Sequence, residues 1–375
     1  MKICFVYEYY YPHMGGGETL VQQLAEGLAS RGHDVCVITS QLPGTDREQT
    51  LNGVRISRVP VPRFGDRYWF TILGIRRIMK AAAEADIIQA ATYNGAITAW
   101  LAAKIKKKPV VLFPFEVLRG LWHKIGLNPA AAMTYRIFEE AILALPYDSY
   151  SCISESTRSV LLKSRISPEK AFVAYPGIDY ELFDPDKAGN RDEIRASLGI
   201  DENTFLYMYT GRPGVVKGVE HLLAAVPEIS RRIPHSRLLL LLSSTPPPKY
   251  REAMKLVSAL GRDVILMEPV PRQQLPRYFH ASDCVIVPSL NEGFGFTCAE
   301  ACAMGKPVVA TTAGSLPEVI SGKFVSIPPQ DSGAIADAVE RVFAGDYETS
   351  ELKRFEWEDA VEKHIETFHR LLSRA

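Results

Sequence analysis

The sequence predicts an α/β protein of two doubly wound, Rossmann-like parallel-sheet domains in series. Three observations carry that expectation. A length of 375 residues suits two domains of roughly 100–200 residues each. Short apolar runs alternate with amphipathic stretches of helix length, the pattern of βαβ units. A turn-rich, acidic interruption around Pro176-Gly177-Ile178-Asp179 and Asp184-Pro185-Asp186 is followed by a restart of the same alternation, which marks a domain boundary.

The first series opens with an apolar strand at 2–6. Gly15-Gly16-Gly17-Glu18 then begins a helix with Leu20, Val21, Leu24 and Leu28 on one face and Gly32 at its end. Strands are expected at 35–39, 54–59, 87–89 and 110–113. The second series has apolar runs at 205–210, 238–242, 264–266, 284–287, 307–310 and 324–327, short and continuous as strands covered on both faces should be. Thr245-Pro246-Pro247-Pro248 reads as a loop, and 357–372 as an amphipathic helix with Ala360, Ile365, Phe368 and Leu372 on its apolar side. The expected domains are 1–178, joined by a C-terminal helix at about 355–375, and 179–354. Two such domains are expected to face a central cleft at the carboxyl ends of their sheets, where α/β proteins bind ligands.

With 47% hydrophobic and 23% charged residues, the chain is ordinary globular protein, which excludes disorder, collagen-like repeat and a small disulfide scaffold. Lys and Arg total 43, as do Asp and Glu, and a net charge of zero argues against a nucleic-acid-coating protein. The zero hides an asymmetry: 21 basic and 15 acidic residues through Tyr175, then 22 and 28. The N-terminus reads as a strand and not as a signal peptide, and the purest apolar run, 238–242, is far short of the roughly 20 residues that span a bilayer. Six cysteines are sparse, so a reducing cytoplasm is the expected setting. Cys298 and Cys302 stand one helical turn apart, but no His or second Cys pair accompanies them and no metal site is expected.

The segment Asn291-Glu292-Gly293-Phe294-Gly295-Phe296 follows a strand and precedes helical sequence at 297–304. Its glycines let backbone amides approach a ligand, and a helix N-terminus there would bind an anion, phosphate above all. Glu292 and Glu300 beside an anion site make sense when the ligand also presents hydroxyls, as a nucleotide sugar does; the alternative is that Glu292 caps the helix and Glu300 is solvated. Arg212 and Lys217 lie in Gly211-Arg212-Pro213-Gly214-Val215-Val216-Lys217-Gly218, after another strand. A guanidinium fork and an ammonium point charge suit a diphosphate; the alternative is a solvated surface pair. Gly15 and Gly16 give a third glycine-rich helix start, without the G-x-G-x-x-G spacing of dinucleotide folds.

Taken together, these segments resemble glycosyltransferase family 4, retaining nucleotide-sugar transferases of the GT-B fold, over nearly the whole chain. The matching residues are Pro12-His13-Met14-Gly15-Gly16-Gly17-Glu18, Ser154-Glu155-Ser156, Tyr175-Pro176-Gly177-Ile178-Asp179, Gly211-Arg212 with Lys217-Gly218, and Glu292-Gly293-Phe294-Gly295 with Glu300, the E-x7-E pattern. The resemblance implies that Arg212 and Lys217 bind the donor diphosphate and that Glu292, with the amides of Gly293, Phe294, Gly295 and Phe296, holds the donor sugar and distal phosphate. It implies that Glu300 binds the ribose, that the base lies against Val270 in Glu268-Pro269-Val270-Pro271, and that Gly15 and Gly16 let the first loop approach the sugar. It also implies that the C-terminal helix crosses back to the first domain and that no metal or cofactor is needed, the nucleotide sugar being a substrate.

One departure stands out. Relatives often carry a His after the fourth strand of the first domain; here that stretch is Leu112-Phe113-Pro114-Phe115-Glu116-Val117, and 86–92 also lacks one. Glu116 is the residue there able to touch sugar or acceptor, or it is an ordinary loop carboxylate, and His13 is the histidine expected near the cleft. The acceptor is expected to be a glycan or lipid-linked. Arg76, Arg77 and Lys80 among Phe70, Ile72, Leu73, Ile75, Ile78 and Met79 would suit peripheral contact with an anionic membrane at its inner face, or form the solvated edge of a packed helix. The competing functions are a nucleotide-sugar epimerase or hydrolase of the same fold, and a catalytically silent partner subunit.

Overall fold

A computed structural model describes residues 1–374 apart from Met14, Arg63, Thr92, Ile125, Gly126 and Arg165. Met14 and Thr92, which fall within the quoted motifs, therefore lie outside the described residues. The chain forms two compact units. The first comprises Met1–Trp122, Pro129–Gly177 and Phe355–Ala375, and the second His123–Asn128 and Ile178–Arg354.

The first unit contains β1 (Lys2–Val6), β2 (Asp34–Ser40), β3 (Glu48–Leu51), β4 (Val54–Val59), β5 (Ile87–Ala91), β6 (Val110–Phe113), β7 (Ser149–Cys152) and β8 (Ala171–Val173). They pair in the order β3-β4-β2-β1-β5-β6-β7-β8, parallel except for β3 against β4. The second contains β9 (Phe205–Gly211), β10 (Ser236–Leu242), β11 (Val264–Met267), β12 (Cys284–Val287), β13 (Val308–Thr311), β14 (Lys323–Ile327) and β15 (Glu348–Thr349). Their order is β11-β10-β9-β12-β13-β14-β15, with only β15 antiparallel. Both sheets wind outward from a central strand, β1 or β9, and then resume on its other side with β5 or β12. The point of reversal is where ligands of such sheets bind, beyond the carboxyl ends of the strands. Continuous burial along β5, β6, β7, β12 and β13 follows from helices covering both faces.

Three local differences from the sequence expectation have physical causes. Pro247 and Pro248 are not loop but the first residues of the helix Pro247–Leu260, because first-turn N–H groups have no helical partner and proline loses nothing there. The β3–β4 hairpin was not expected, although Asn52 (φ 48°) and Gly53 (φ 80°) are the Asn-Gly pair that a tight two-residue turn requires. β7 reads Ser-Tyr-Ser-Cys yet is wholly buried. Its hydroxyls are satisfied locally: Ser149 Oγ donates to the Lys170 carbonyl at 2.7 Å, and Ser151 meets the C-terminal helix.

That helix, Trp357–Leu372, packs on the helix Gly16–Ser30 of the first unit. His364 anchors it. The residue is 1% exposed and ringed by Phe113, Phe172 and Phe368. Its Nδ1 lies 2.7 Å from the Ala360 carbonyl, which can only accept, so Nδ1 carries the proton. Nε2 then accepts from Ser151 Oγ at 2.7 Å. Burial holds this imidazole neutral, with a pKa down at about 4. A histidine of ordinary pKa in the unfolded chain gains a proton that the folded state refuses, so stability is complete above about pH 6.5 and falls as pH drops toward 4. We expect up to roughly 3 kcal/mol to be lost over that window. Thermal melts between about pH 7 and 4.5 should show a steeper fall for the wild type than for His364→Gln; parallel curves would refute the assignment.

Candidate functional site

In the second unit the loops that leave β9 and β12 flank the point of reversal, and they are tied together. Leu290 N donates to the Val216 carbonyl at 2.7 Å. Gly218 (φ 64°) passes so close that a Cβ there would lie 2.0 Å from the Pro288 carbonyl oxygen. The β9 loop makes a short 3-10 turn, Val215–Lys217, which turns Lys217 toward the β12 loop. Its Nζ donates to Glu292 Oε1 at 2.7 Å, and Ser289 Oγ donates to the same oxygen at 2.8 Å. The Lys217 and Glu292 side chains are 33% and 13% exposed, so the pair is shielded but open to a ligand. Arg212 follows β9 directly, with its carbonyl accepting from Tyr209 Oη at 3.1 Å. It is exposed and makes no ion pair among the described residues.

The backbone of Glu292 is fixed from behind. Gly314 (φ 58°) backs onto it so tightly that a Cβ would lie 2.4 Å from the Glu292 carbonyl oxygen and 2.6 Å from its nitrogen. Ser315 N donates to that carbonyl at 3.1 Å, and Ser315 Oγ donates to the Phe294 carbonyl at 2.7 Å. Gly293 and Gly295 frame Phe294, which is 2% exposed and packs edge-on to Phe296; the Phe294 side chain serves the core. Gly295 (φ 94°, ψ 56°) is the N-cap of the helix Phe296–Ala303. The N-cap position thus falls on Gly295 and not on Glu292, whose carboxylate accepts instead from Lys217 and Ser289. The helix begins four residues after Glu292, and the first N–H groups of a helix attract anions.

Glu300 sits one turn inside that helix and is 3% exposed, so it is not the solvated residue that the alternative reading required. Arg272 Nη1 stands 2.7 Å from Glu300 Oε1 as an ion pair, and that oxygen is enclosed. Burial pushes this carboxyl up to about 7, opposed by Arg272 and reinforced by Asp179. Sequence reasoning missed Arg272, which follows Val270 and Pro271 in the turn after β11 and stacks its guanidinium 5.0 Å from the Phe183 ring. Val270 is half-buried and Glu268 and Pro269 are exposed. The one signal for Arg272 was its place, two residues beyond Val270. The second unit thus gathers Arg212, Lys217, Glu292 and the Gly293–Phe296 amides at one sheet edge, with the Arg272–Glu300 pair beside the same helix.

In the first unit, Gly15 is the extended N-cap of the helix Gly16–Ser30. Glu18 folds back toward it, with Oε2 2.4 Å from where a Gly15 Cβ would stand. His13 Nδ1 lies 3.1 Å from Glu18 Oε1, and His13 stacks on Tyr9 at 4.7 Å. The chain's own carboxylate therefore occupies part of this helix N-terminus. At the reversal point of this sheet, Asn94 Nδ2 donates to Glu8 Oε1 at 3.1 Å, both residues being buried; neither was anticipated. Glu116 is half-buried, and its carbonyl accepts from Tyr93 Oη at 3.0 Å. The loop that carries Glu116 is pinned by a second unanticipated carboxylate, Glu139. It is 1% exposed and accepts from Leu118 N at 2.8 Å and Trp122 Nε1 at 2.9 Å. Burial raises its pKa, opposed by these two bonds and by the Tyr93 hydroxyl, 3.0 Å away. Among the described residues no cluster of His, Cys, Asp and Glu could hold a metal ion.

Residues 204–345 match the family model described as Glycosyl transferases group 1, and residues 14–182 the model described as Glycosyltransferase Family 4. A D-inositol 3-phosphate glycosyltransferase of Corynebacterium diphtheriae is 32% identical over 377 residues, covering 93% of this chain and 88% of the relative. Among solved structures, the sucrose-phosphate synthase from Thermosynechococcus elongatus superposes with a TM-score of 0.84 over all of both chains at 24% identity. An Anabaena protein in complex with UDP and glucose does so at 0.78 over 98% of this chain and 99% of that one, at 20% identity.

The raised Glu300 pKa has a measurable consequence. A carboxyl whose folded pKa exceeds its unfolded value contributes stability that is complete below about pH 4.5 and is lost as pH rises through about 7. Glu300→Gln, which cannot ionise, should therefore be more stable than the wild type at pH 8, by up to about 3 kcal/mol, with the gap closing near pH 5. A destabilised Gln variant at pH 8 in thermal melts would contradict this account of the site.

Proposed function

Because the chain belongs to the group 1, family 4 glycosyltransferases and has their GT-B fold, we propose that it moves a sugar from a UDP- or GDP-linked donor to an acceptor hydroxyl, with retention at the anomeric carbon. The observation that carries this reading is the Lys217–Glu292 contact at 2.7 Å in front of a glycine-capped helix N-terminus. A lone basic pair would serve any phosphate. An ammonium already fixed by a carboxylate, beside a glycine-capped helix N-terminus, serves a ligand that is both anion and polyol.

In this reading Arg212 and two of the three Lys217 N–H groups take the diphosphate, while the third stays on Glu292. The other Glu292 oxygen and the Gly293–Phe296 amides receive sugar hydroxyls and the distal phosphate. Glu300, paired with Arg272, takes the ribose, and the turn at Val270 backs the base. The acceptor oxygen attacks the anomeric carbon as the bond from that carbon to phosphate oxygen breaks. Its proton passes to that departing phosphate oxygen, and Arg212 and Lys217 neutralise the charge that develops on the diphosphate. These two cations do the work a divalent ion would otherwise do, so the reaction needs no metal. The first unit takes the acceptor near Gly15, Gly16, His13 and Glu116. Its surplus of basic residues through Tyr175, and a relative named for D-inositol 3-phosphate, favour an acceptor with a negative group: a phosphorylated polyol or glycan, free or lipid-linked.

Lys217→Ala and Glu292→Gln are expected to lower kcat by about 10²–10³-fold without changing the melting temperature by more than a few degrees. Glu300→Gln should mainly raise the donor KM. A panel of UDP-, GDP- and ADP-sugars with phosphorylated acceptors, read by NMR for the anomeric configuration, supplies the assay. Inversion, or full activity in Lys217→Ala, would sink the mechanism. Free sugar or an epimer formed without acceptor would instead reveal a hydrolase or epimerase, and no nucleotide binding by calorimetry a silent subunit.

A further inference from the structure

The first unit carries a face that nothing in the donor or acceptor reading uses. The helix Asp66–Leu73 buries Phe70 completely and turns the opposite stripe outward. Tyr68, Trp69, Ile72 and Leu73 are 50%, 42%, 62% and 45% exposed, and Phe64, just before the helix, is 92% exposed. Positions 68, 69, 72 and 73 share one side of a helix, so this is a continuous strip and not scattered exposure. The helix Pro129–Leu143 extends it with Met133 and Ile137, 53% and 61% exposed. The two helices are joined by the Tyr68 and Tyr135 hydroxyls, 2.8 Å apart.

Three cations stand near the strip. Arg76 follows Leu73 by three residues, Lys80 follows Arg76 by four, and Arg136 lies between Met133 and Ile137. All three are exposed, and none has an ion pair among the described residues. Two nearby carboxylates are paired, Glu48 with Arg77, which also bonds Ser57, and Glu140 with Arg119, while Glu84 lies one turn beyond Lys80. Arg77 is therefore removed from the basic group expected from the sequence, and Phe70 and Ile78, fully buried, from its apolar one. An exposed aliphatic strip with aromatic rings and a rim of free cations matches a bilayer surface, where apolar groups enter the headgroup boundary and cations meet anionic lipid. Both helices follow strands β4 and β6 at the carboxyl edge of the sheet, the edge at which ligands bind.

We propose that this strip seats the first unit on an anionic lipid surface, with Phe64, Tyr68, Trp69, Ile72 and Leu73 entering the headgroup region and Arg76, Lys80 and Arg136 meeting lipid phosphates. No helix among the described residues is long and apolar enough to cross a membrane, so the contact is peripheral. The proposal is independent of the sugar-transfer reading, since binding is measured without donor or acceptor.

Flotation of the full chain with vesicles of phosphatidylcholine, with and without phosphatidylglycerol, tests it. The wild type is expected to float only with the anionic vesicles and to be released by salt. Neutralising Arg76, Lys80 or Arg136 to Gln should weaken partitioning roughly fivefold each. Ile72→Asp should abolish it, with Trp69→Ser as a second variant, and Leu256→Asp, an exposed apolar site in the second unit, should leave it intact. Equal flotation on neutral vesicles overturns the proposal, as does flotation unchanged in Ile72→Asp and Trp69→Ser. A concentration-dependent dimer that Ile72→Asp disperses, with no flotation by the wild type, overturns it in favour of self-association.

Discussion

The ion pair between Lys217 and Glu292 is the contact on which the rest of the second unit's site depends. It spans two loops that the fold brings side by side only because β9 and β12 are neighbours across the reversal of a doubly wound sheet. In sequence the two residues are 75 positions apart, so neither loop contains the site. Everything around the pair restricts its freedom: the Leu290–Val216 backbone bond holds the loops together, Ser289 fixes the shared carboxylate oxygen, and Gly314 and Ser315 brace Glu292 from behind. For the anion that the proposed reading places here, the cation's position is already settled, so little reorganisation would remain at the moment of binding.

Much of this was legible in the sequence, for a definable reason. Strands buried on both faces leave continuous apolar runs, and loops that must approach a phosphate leave glycines; both marks are local. Groups whose role is set by a distant partner left no such mark. Glu139 looks like any helix carboxylate until Leu118 and Trp122 are folded onto it, and Glu8 acquires its meaning only from Asn94, across the sheet. Arg272 is one of many arginines until Glu300 is buried beside it. β7 escaped because the partners of its hydroxyls, near in the fold, are far in sequence: Lys170 is 21 positions from Ser149 and His364 is 213 from Ser151. The Asn52-Gly53 hairpin is a different kind of miss, since its signal was local and available.

The charge asymmetry of the two halves takes on a finer grain in the structure. The acidic second half does not present a uniformly negative site: Arg212 and Lys217 stand on the loop after β9, while burial raises the Glu300 pKa to about 7 against the pull of Arg272. Holding such a carboxyl in an apolar helix face costs stability at neutral pH, a cost natural sites tolerate where activity requires it. In the first half the excess of positive charge is not spread evenly either. Arg55, Arg77 and Lys104 are paired with Asp34, Glu48 and Asp148, so that they add little to the free positive charge of that half.

Gly177 packs directly against Trp357, so closely that a Cβ would lie 2.3 Å from the Trp357 nitrogen, and the Tyr175 and Phe355 rings meet at 5.5 Å. The strand of chain leaving the first unit thus lies against the strand returning to it, which makes residues 178–354 an insertion whose two ends emerge at one place. During synthesis the ribosome delivers that whole insertion before the helix Trp357–Leu372 that completes the first unit. The usual order, in which the N-terminal domain finishes first, is therefore reversed here: the later-encoded unit can reach its native state while the earlier one still exposes the seat of its last helix.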